Sequence, residues 1–138
     1  MYSTILRYSN SEFIMLETHT EERTHGACNK MLLPVSDALY VLSGKWKIPI
    51  IIALTFGNKR FGQISKEIPK ITDRMLAKEL RELELNQLVS RKVYDTIPVT
   101  VEYTLTDYGT TLQPVIEELA KWGFNHRERM FGEKQKVS

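Results

Sequence analysis

The sequence predicts a mainly helical α+β fold, and three observations lead there. Apolar residues recur at helical spacing from Val35 to Leu85. Val99, Val101, Tyr103 and Leu105 then alternate with Thr100, Glu102 and Thr104, and a second long helical stripe follows. A chain of 138 residues is the size of one domain. Its 42% hydrophobic and 26% charged residues are ordinary for a globular protein. The longest apolar run, Ile48 to Leu54, is roughly half of the ~20 residues that a membrane span requires. Met1 to Leu16 lacks the continuous apolar stretch of a secretory signal. The single cysteine, Cys28, excludes an intrachain disulfide. A cytoplasmic protein in a reducing compartment is expected, with no membrane partner.

Residues 1–30 are polar, mixed in charge and aperiodic, so they read as a mobile arm; order is expected to begin near Pro34. Val35, Ala38, Leu39 and Leu42 form the first helix, with Pro34 in its first turn and Gly44 at its end. The second helix runs from about Lys45 to Phe56. It tolerates Pro49 only in the first turn, closes at Gly57-Asn58, and is apolar almost all round, which makes it the buried centre. Phe61, Ile64 and Ile68 define a short third helix stopped by Pro69. Thr72 caps a fourth, to Leu85, with Asp73 favouring the positive end of its dipole. Leu88 to Tyr94 and Val99 to Leu105 are strands joined by Asp95-Thr96-Ile97-Pro98. Thr106-Asp107 opens a last helix to about Arg129, and residues 132–138 form a disordered tail.

Helix, short helix, tight turn, capped helix and hairpin, in that order, are the elements of a winged helix-turn-helix, in which the capped helix enters the major groove of DNA. At ~100° per residue, Leu76, Leu80 and Leu83 cluster on one side of the fourth helix, with Arg74, Lys78 and Arg81 on the other. Net charge is only +2, but Asn58 to Arg81 holds seven basic residues (Lys59, Arg60, Lys66, Lys70, Arg74, Lys78, Arg81) against Glu67, Asp73 and Glu79. A basic segment in an otherwise acidic chain marks a candidate phosphate-binding face. Arg60 and Gln63 at the start of the third helix, Thr72 at the cap, and Arg91 and Lys92 on the first wing strand complete the candidate DNA contacts. Thr72 is expected mainly to cap. Trp46 is expected as a core anchor, and Glu102 as a cross-strand partner for a basic residue of the hairpin.

From about Leu33 to Phe131 the sequence resembles the HxlR family of bacterial winged-helix regulators. The blocks that carry the resemblance are Pro34-Val35 with Ala38-Leu39; Gly44-Lys45-Trp46; Arg60-Phe61 leading to Ile64; Ile71 with Arg74-Met75-Leu76; Leu80 to Glu84; Leu88 to Arg91; Val101 to Thr106 with Gly109; and Trp122-Gly123. The resemblance implies a dimeric transcriptional regulator that binds operator DNA, not an enzyme. Many family members carry a cysteine before the proline of the first helix, where this chain has Leu33, so sensing through Cys28 would require a shift in register. The wing tip, Ile97-Pro98-Val99-Thr100, is less basic than is common in the family, which implies a larger share of phosphate contact for Arg91 and Lys92.

The last helix presents Leu112, Val115, Ile116, Leu119 and Trp122 as one stripe. With a core already filled by the other elements, this surplus marks a dimer interface, and a two-fold dimer sets recognition helices about one DNA turn apart, ~34 Å. The chain has no glycine-rich phosphate loop, nucleophile elbow or zinc-protease motif, which argues against an enzyme and calls for no cofactor. His19, His25 and Cys28 match no strong metal template. The alternatives that stay open are a winged-helix interaction module without DNA binding, and a thiol- or metal-responsive sensor acting through the arm. A small-molecule effector is not identified by the sequence.

Overall fold

The computed structural model describes residues 8–9, 12–13 and 25–132, with side chains from Lys30 to Gly132. The chain forms two compact units, Met1–Ser43 and Gly44–Ser138. In the first, β1 (Tyr8–Ser9) and β2 (Glu12–Phe13) pair antiparallel, and α1 spans His25–Val41.

The first helix therefore begins nine residues before the expected Pro34 and crosses the expected arm boundary at residue 30. Pro34 lies inside it. Proline forgoes one backbone bond there, but Ala27, Lys30, Met31 and Leu32 upstream are strong helix formers that carry the helix through. None of its described side chains is buried, and Leu33, Leu39 and Tyr40 are largely exposed. Cys28 and His25 fall in α1 with side chains outside those described, and His19 and residues 133–138 lie outside the described residues altogether. Gly44, at a φ of +89°, follows as expected, since that backbone region suits a residue without a Cβ.

In the second unit, α2 (Lys47–Thr55) is the centre. Ile50, Ile51, Ala53 and Leu54 are buried, Pro49 sits in the first turn, and Gly57 leaves the helix at a φ of +130°. The helix is less uniformly apolar than expected: Ile52 is exposed and Lys47 is buried. Trp46 is only half-buried at the N-cap, and its ring carries the Lys45 ammonium 4.8 Å from the centroid. α3 (Phe61–Glu67) ends before Pro69, and α4 (Asp73–Leu85) follows. The Thr72 hydroxyl oxygen accepts from the Met75 amide at 3.2 Å, a cap that contributes about 1 kcal/mol. Leu76, Leu80 and Leu83 are all 1% exposed or less, and each contributes about 2 kcal/mol by burial.

The wing strands β4 (Val89–Tyr94) and β5 (Thr100–Leu105) pair antiparallel, Val89 opposite Leu105 and Tyr94 opposite Thr100. A strand absent from the sequence reading, β3 (Lys59–Arg60), adds to the far edge of β5, giving the order β3-β5-β4. Two residues between a helix and a helix carry no alternation to read. Pairing Lys59 with Tyr103 and Arg60 with Glu102, the strand ties the start of α3 to the wing.

The single helix expected from Thr106 is two: α5 (Asp107–Thr110) and α6 (Gln113–Phe131). Pro114 in the first turn of α6 explains the break, because its ring would clash with the carbonyl four residues back in a continuous helix. The Thr106 hydroxyl donates to the Gln87 carbonyl at 2.6 Å and accepts from the Gly109 amide at 2.9 Å, joining α5 to the base of the wing.

Candidate nucleic-acid interface

Within the helix-turn-helix, α3 and α4 are joined by Ile68 to Thr72, with Lys70 at a φ of +70° and Ile71 buried beneath the turn. The Ser65 hydroxyl donates to Asp73 Oδ1 at 2.8 Å, bridging the two helices. Arg74, Lys78 and Arg81 are exposed along one side of α4, opposite the buried leucines, as the helical wheel predicts.

The three carboxylates that sequence counting set against the basic segment all have partners within the fold. Glu67 takes the Lys59 ammonium at 2.6 Å, Asp73 takes the Ser65 hydroxyl at the positive end of α4, and Glu79 takes the Lys47 ammonium at 2.6 Å. Arg60, Lys66, Lys70, Arg74, Lys78 and Arg81 are exposed, and none of them forms an ion pair among the described residues. The excess positive charge is thus exposed, while its local counter-charges are engaged by Lys59, Ser65 and Lys47.

Sequence reasoning gives Lys47 and Glu82 no role in the site and counts Glu79 only as an acid of the basic segment. Lys47 Nζ lies 2.6 Å from Glu79 Oε2 and 2.6 Å from Glu82 Oε2, with the Lys47 and Glu79 side chains 5% and 8% exposed. Burial pushes the Lys47 ammonium down, but the hydrogen bonds and charges of the two carboxylates outweigh it and hold it above its ordinary value. The Lys47 hydrogen bond chiefly holds the Glu82 carboxyl below its own, against partial desolvation, and the charges of Lys47 and Lys78 add to it. A readable signal existed: Glu79 falls beside Leu76, Leu80 and Leu83 on the wheel, and Lys47 interrupts an apolar helix. Both are charges placed where only a charged partner makes burial tolerable.

The remaining candidates divide. Gln63 is exposed, but its side-chain oxygen accepts from the Arg60 amide at 2.8 Å and so closes the start of α3. Thr72 caps, which leaves its hydroxyl proton available to an outside acceptor. Arg91 and Lys92 are both exposed, yet as neighbours in a strand they point to opposite faces of the wing. Arg91 shares a face with the buried Val89 and Tyr103. Lys92 lies opposite Glu102, with its ammonium 4.9 Å from the Tyr94 ring centroid. Glu102 stands in register between Arg60 and Lys92, but its hydrogen bonds come from the Tyr94 hydroxyl (3.3 Å) and the Asn58 amide (3.4 Å). The basic cross-strand partner expected for it is replaced by a neutral pair. Leu112 at the N-cap of α6 and Ile116 within it are half-buried while Val115, Leu119 and Trp122 are exposed, so the expected stripe is shared between the unit and its surroundings.

A short helix, a turn and a capped helix beside a three-stranded wing define a winged helix-turn-helix protein of the transcriptional-regulator class. Residues 41–131 match the HxlR-like helix-turn-helix family, and the chain belongs to it. It is 40% identical over 104 residues to the HTH-type transcriptional regulator YtcD of Bacillus subtilis (strain 168), covering 75% of this chain and 82% of that protein. It is 44% identical over 94 residues to the HTH-type transcriptional regulator YodB of the same organism, covering 68% and 84%. Among solved structures, the redox regulator HypR in its reduced form superposes with a TM-score of 0.68 at 40% identity, covering 72% of this chain and 98% of that one. The chain is a helix-turn-helix transcriptional regulator. No helix among the described residues is long and apolar enough to cross a membrane, and no group of three metal-ligating side chains occurs among them.

Proposed function

We propose that the protein regulates transcription as a homodimer that binds operator DNA, with α4 in the major groove and the β4–β5 hairpin as the wing against the backbone. The observation that carries this is the disposition of charge on the helix-turn-helix. Six exposed cations surround α3, the turn and α4, while the segment's three carboxylates are engaged within the fold. With those carboxylates engaged, six cations of the segment keep their charge for an outside polyanion. Arg74, Lys78 and Arg81 form the cationic stripe by which α4 meets the phosphates that line the groove, with Arg60, Lys66 and Lys70 at the phosphates on either side of it. Because Arg91 and Lys92 face opposite ways, one of them at most shares the DNA side of the wing. Acting on the chromosome places the protein in the cytoplasm.

The partner in this reading is a second copy. Val115, Leu119 and Trp122 are 46%, 51% and 67% exposed on a single stripe of α6, an apolar patch of the kind that marks an interaction site. A two-fold pair joined there presents two α4 helices to successive major grooves, ~34 Å apart. Sedimentation equilibrium is expected to find a dimer, and Leu119→Glu with Trp122→Glu is expected to give a folded monomer. Retention of the dimer by that variant would place the interface elsewhere.

Fluorescence anisotropy tests the DNA reading, using duplex from the intergenic region upstream of the protein's own gene and a scrambled duplex across a salt series. Tighter binding to the native duplex is expected, with log affinity falling linearly against log salt. Absence of binding to either duplex at low salt would reject this function in favour of an interaction module.

A further inference from the structure

Lys78 and Glu82 stand one turn apart on α4, a spacing at which opposite charges ordinarily pair across a helix surface. They do not pair here. Lys78 forms no ion pair among the described residues, and Glu82 instead directs Oε2 to Lys47 Nζ at 2.6 Å. Lys47 comes from the first turn of α2 and is held from beneath by the buried Glu79, so its ammonium is fixed at the inner edge of α4. Glu82 is at the boundary, its side chain 40% exposed, with one cation on either side of it.

We infer that Lys47 is a positioning residue for DNA binding: by holding Glu82 against the body of the protein, it keeps Lys78, the middle cation of the Arg74–Lys78–Arg81 stripe, open to phosphate. This rests on the DNA-binding reading above. The consequence is twofold. Lys78 keeps its full charge for the polyanion, and the Glu82 carboxylate is withdrawn from the surface where it would repel phosphate. Without Lys47, Glu82 has Lys78 as its nearest opposite charge, and α4 loses one effective cation without any change to its groove-facing residues.

The test removes the buried pair as a unit, since deleting Lys47 alone would strand Glu79 in the interior, whereas apolar replacement of both partners is commonly tolerated. Lys47→Met with Glu79→Met is expected to weaken operator affinity about 8-fold at 0.1 M salt and to flatten the log–log salt slope by about 0.9, the signature of one lost phosphate contact. Adding Glu82→Gln to that variant is expected to restore both. Glu82→Gln alone, on the intact pair, is expected to leave the slope unchanged, because Lys78 is already open; a slope steeper by about 0.9 would overturn the inference. So would a folded Lys47→Met/Glu79→Met protein with the parent's slope, or a loss that Glu82→Gln does not restore, which would mark the pair as purely architectural. Acetylation of Lys78 in the DNA-free protein, followed by peptide mass spectrometry, provides an arm independent of operator binding. Slower labelling in the Lys47→Met/Glu79→Met variant and recovery on adding Glu82→Gln support the inference, and equal labelling in all three proteins overturns it. Failure of the parent to bind DNA would instead reject the proposed function, and labelling would still decide whether Lys47 holds Glu82 from Lys78.

Discussion

Replacing Arg74, Lys78 and Arg81 together with alanine is expected to lower operator affinity about 500-fold at 0.1 M salt and to reduce the salt slope by about 2.7 units, three phosphate equivalents. All three side chains are exposed on α4 and none is in an ion pair among the described residues, so nothing in the core depends on them. Alanine is also the better helix former. The thermal melt should accordingly stay within about 0.5 kcal/mol of the parent. Anisotropy titrations against salt, run beside a circular-dichroism melt, check both halves. An unchanged slope in a folded protein would mean that DNA, if bound, meets another face.

The largest effect on stability is expected at Gly109. A Cβ built there meets the Leu88 carbonyl oxygen, closer than real Cβ contacts come, and also approaches Leu88 C at 3.1 Å and Leu105 Cδ2 at 3.2 Å. The carbonyl has little freedom to retreat, because it accepts the Thr106 amide at 3.1 Å where α5 joins the base of the wing. Gly109→Ala must therefore push α5 off β4 or break that bond, at about 3 kcal/mol. For a unit of this size that corresponds to a melting temperature roughly 15 °C lower. Here glycine is required by proximity and not by a left-handed backbone. A Gly109→Ala protein melting within about 2 °C of the parent would show that the contact relaxes freely.

How much of this was legible in the sequence follows from the range of each interaction. The capped helix α4 was readable because its signals are local: Thr72 and Asp73 at its start, and leucines against cations at a period of 3.6. The wing strands were readable for the same reason, their alternation being printed in consecutive residues. The start of α1 is not legible because Pro34 reads as an initiation signal. Proline also occurs inside helices when its neighbours propagate them, and the proline that did separate two helices was Pro114. Strand β3 was invisible because two residues have no periodicity, and they become a strand only when β5 arrives from more than forty residues away.

By itself the sequence determined the order of the helix-turn-helix and its wing hairpin, the leucine face of α4, the cationic stripe opposite it and the family to which the chain belongs, all of which depend on spacing along one chain. Which charges remain available was decided only in three dimensions. Counted along the chain, Glu67, Asp73 and Glu79 diminish the basic segment; in the folded protein they are bound by Lys59, Ser65 and Lys47, and Glu79 is buried. Arg91 and Lys92 count as two neighbouring cations in sequence, but the pleat of β4 sends them to opposite faces. Electrostatic interaction depends on distance through space and on burial, and a residue such as Lys47 acquires its partners, 32 and 35 positions away, only when α2 and α4 pack together.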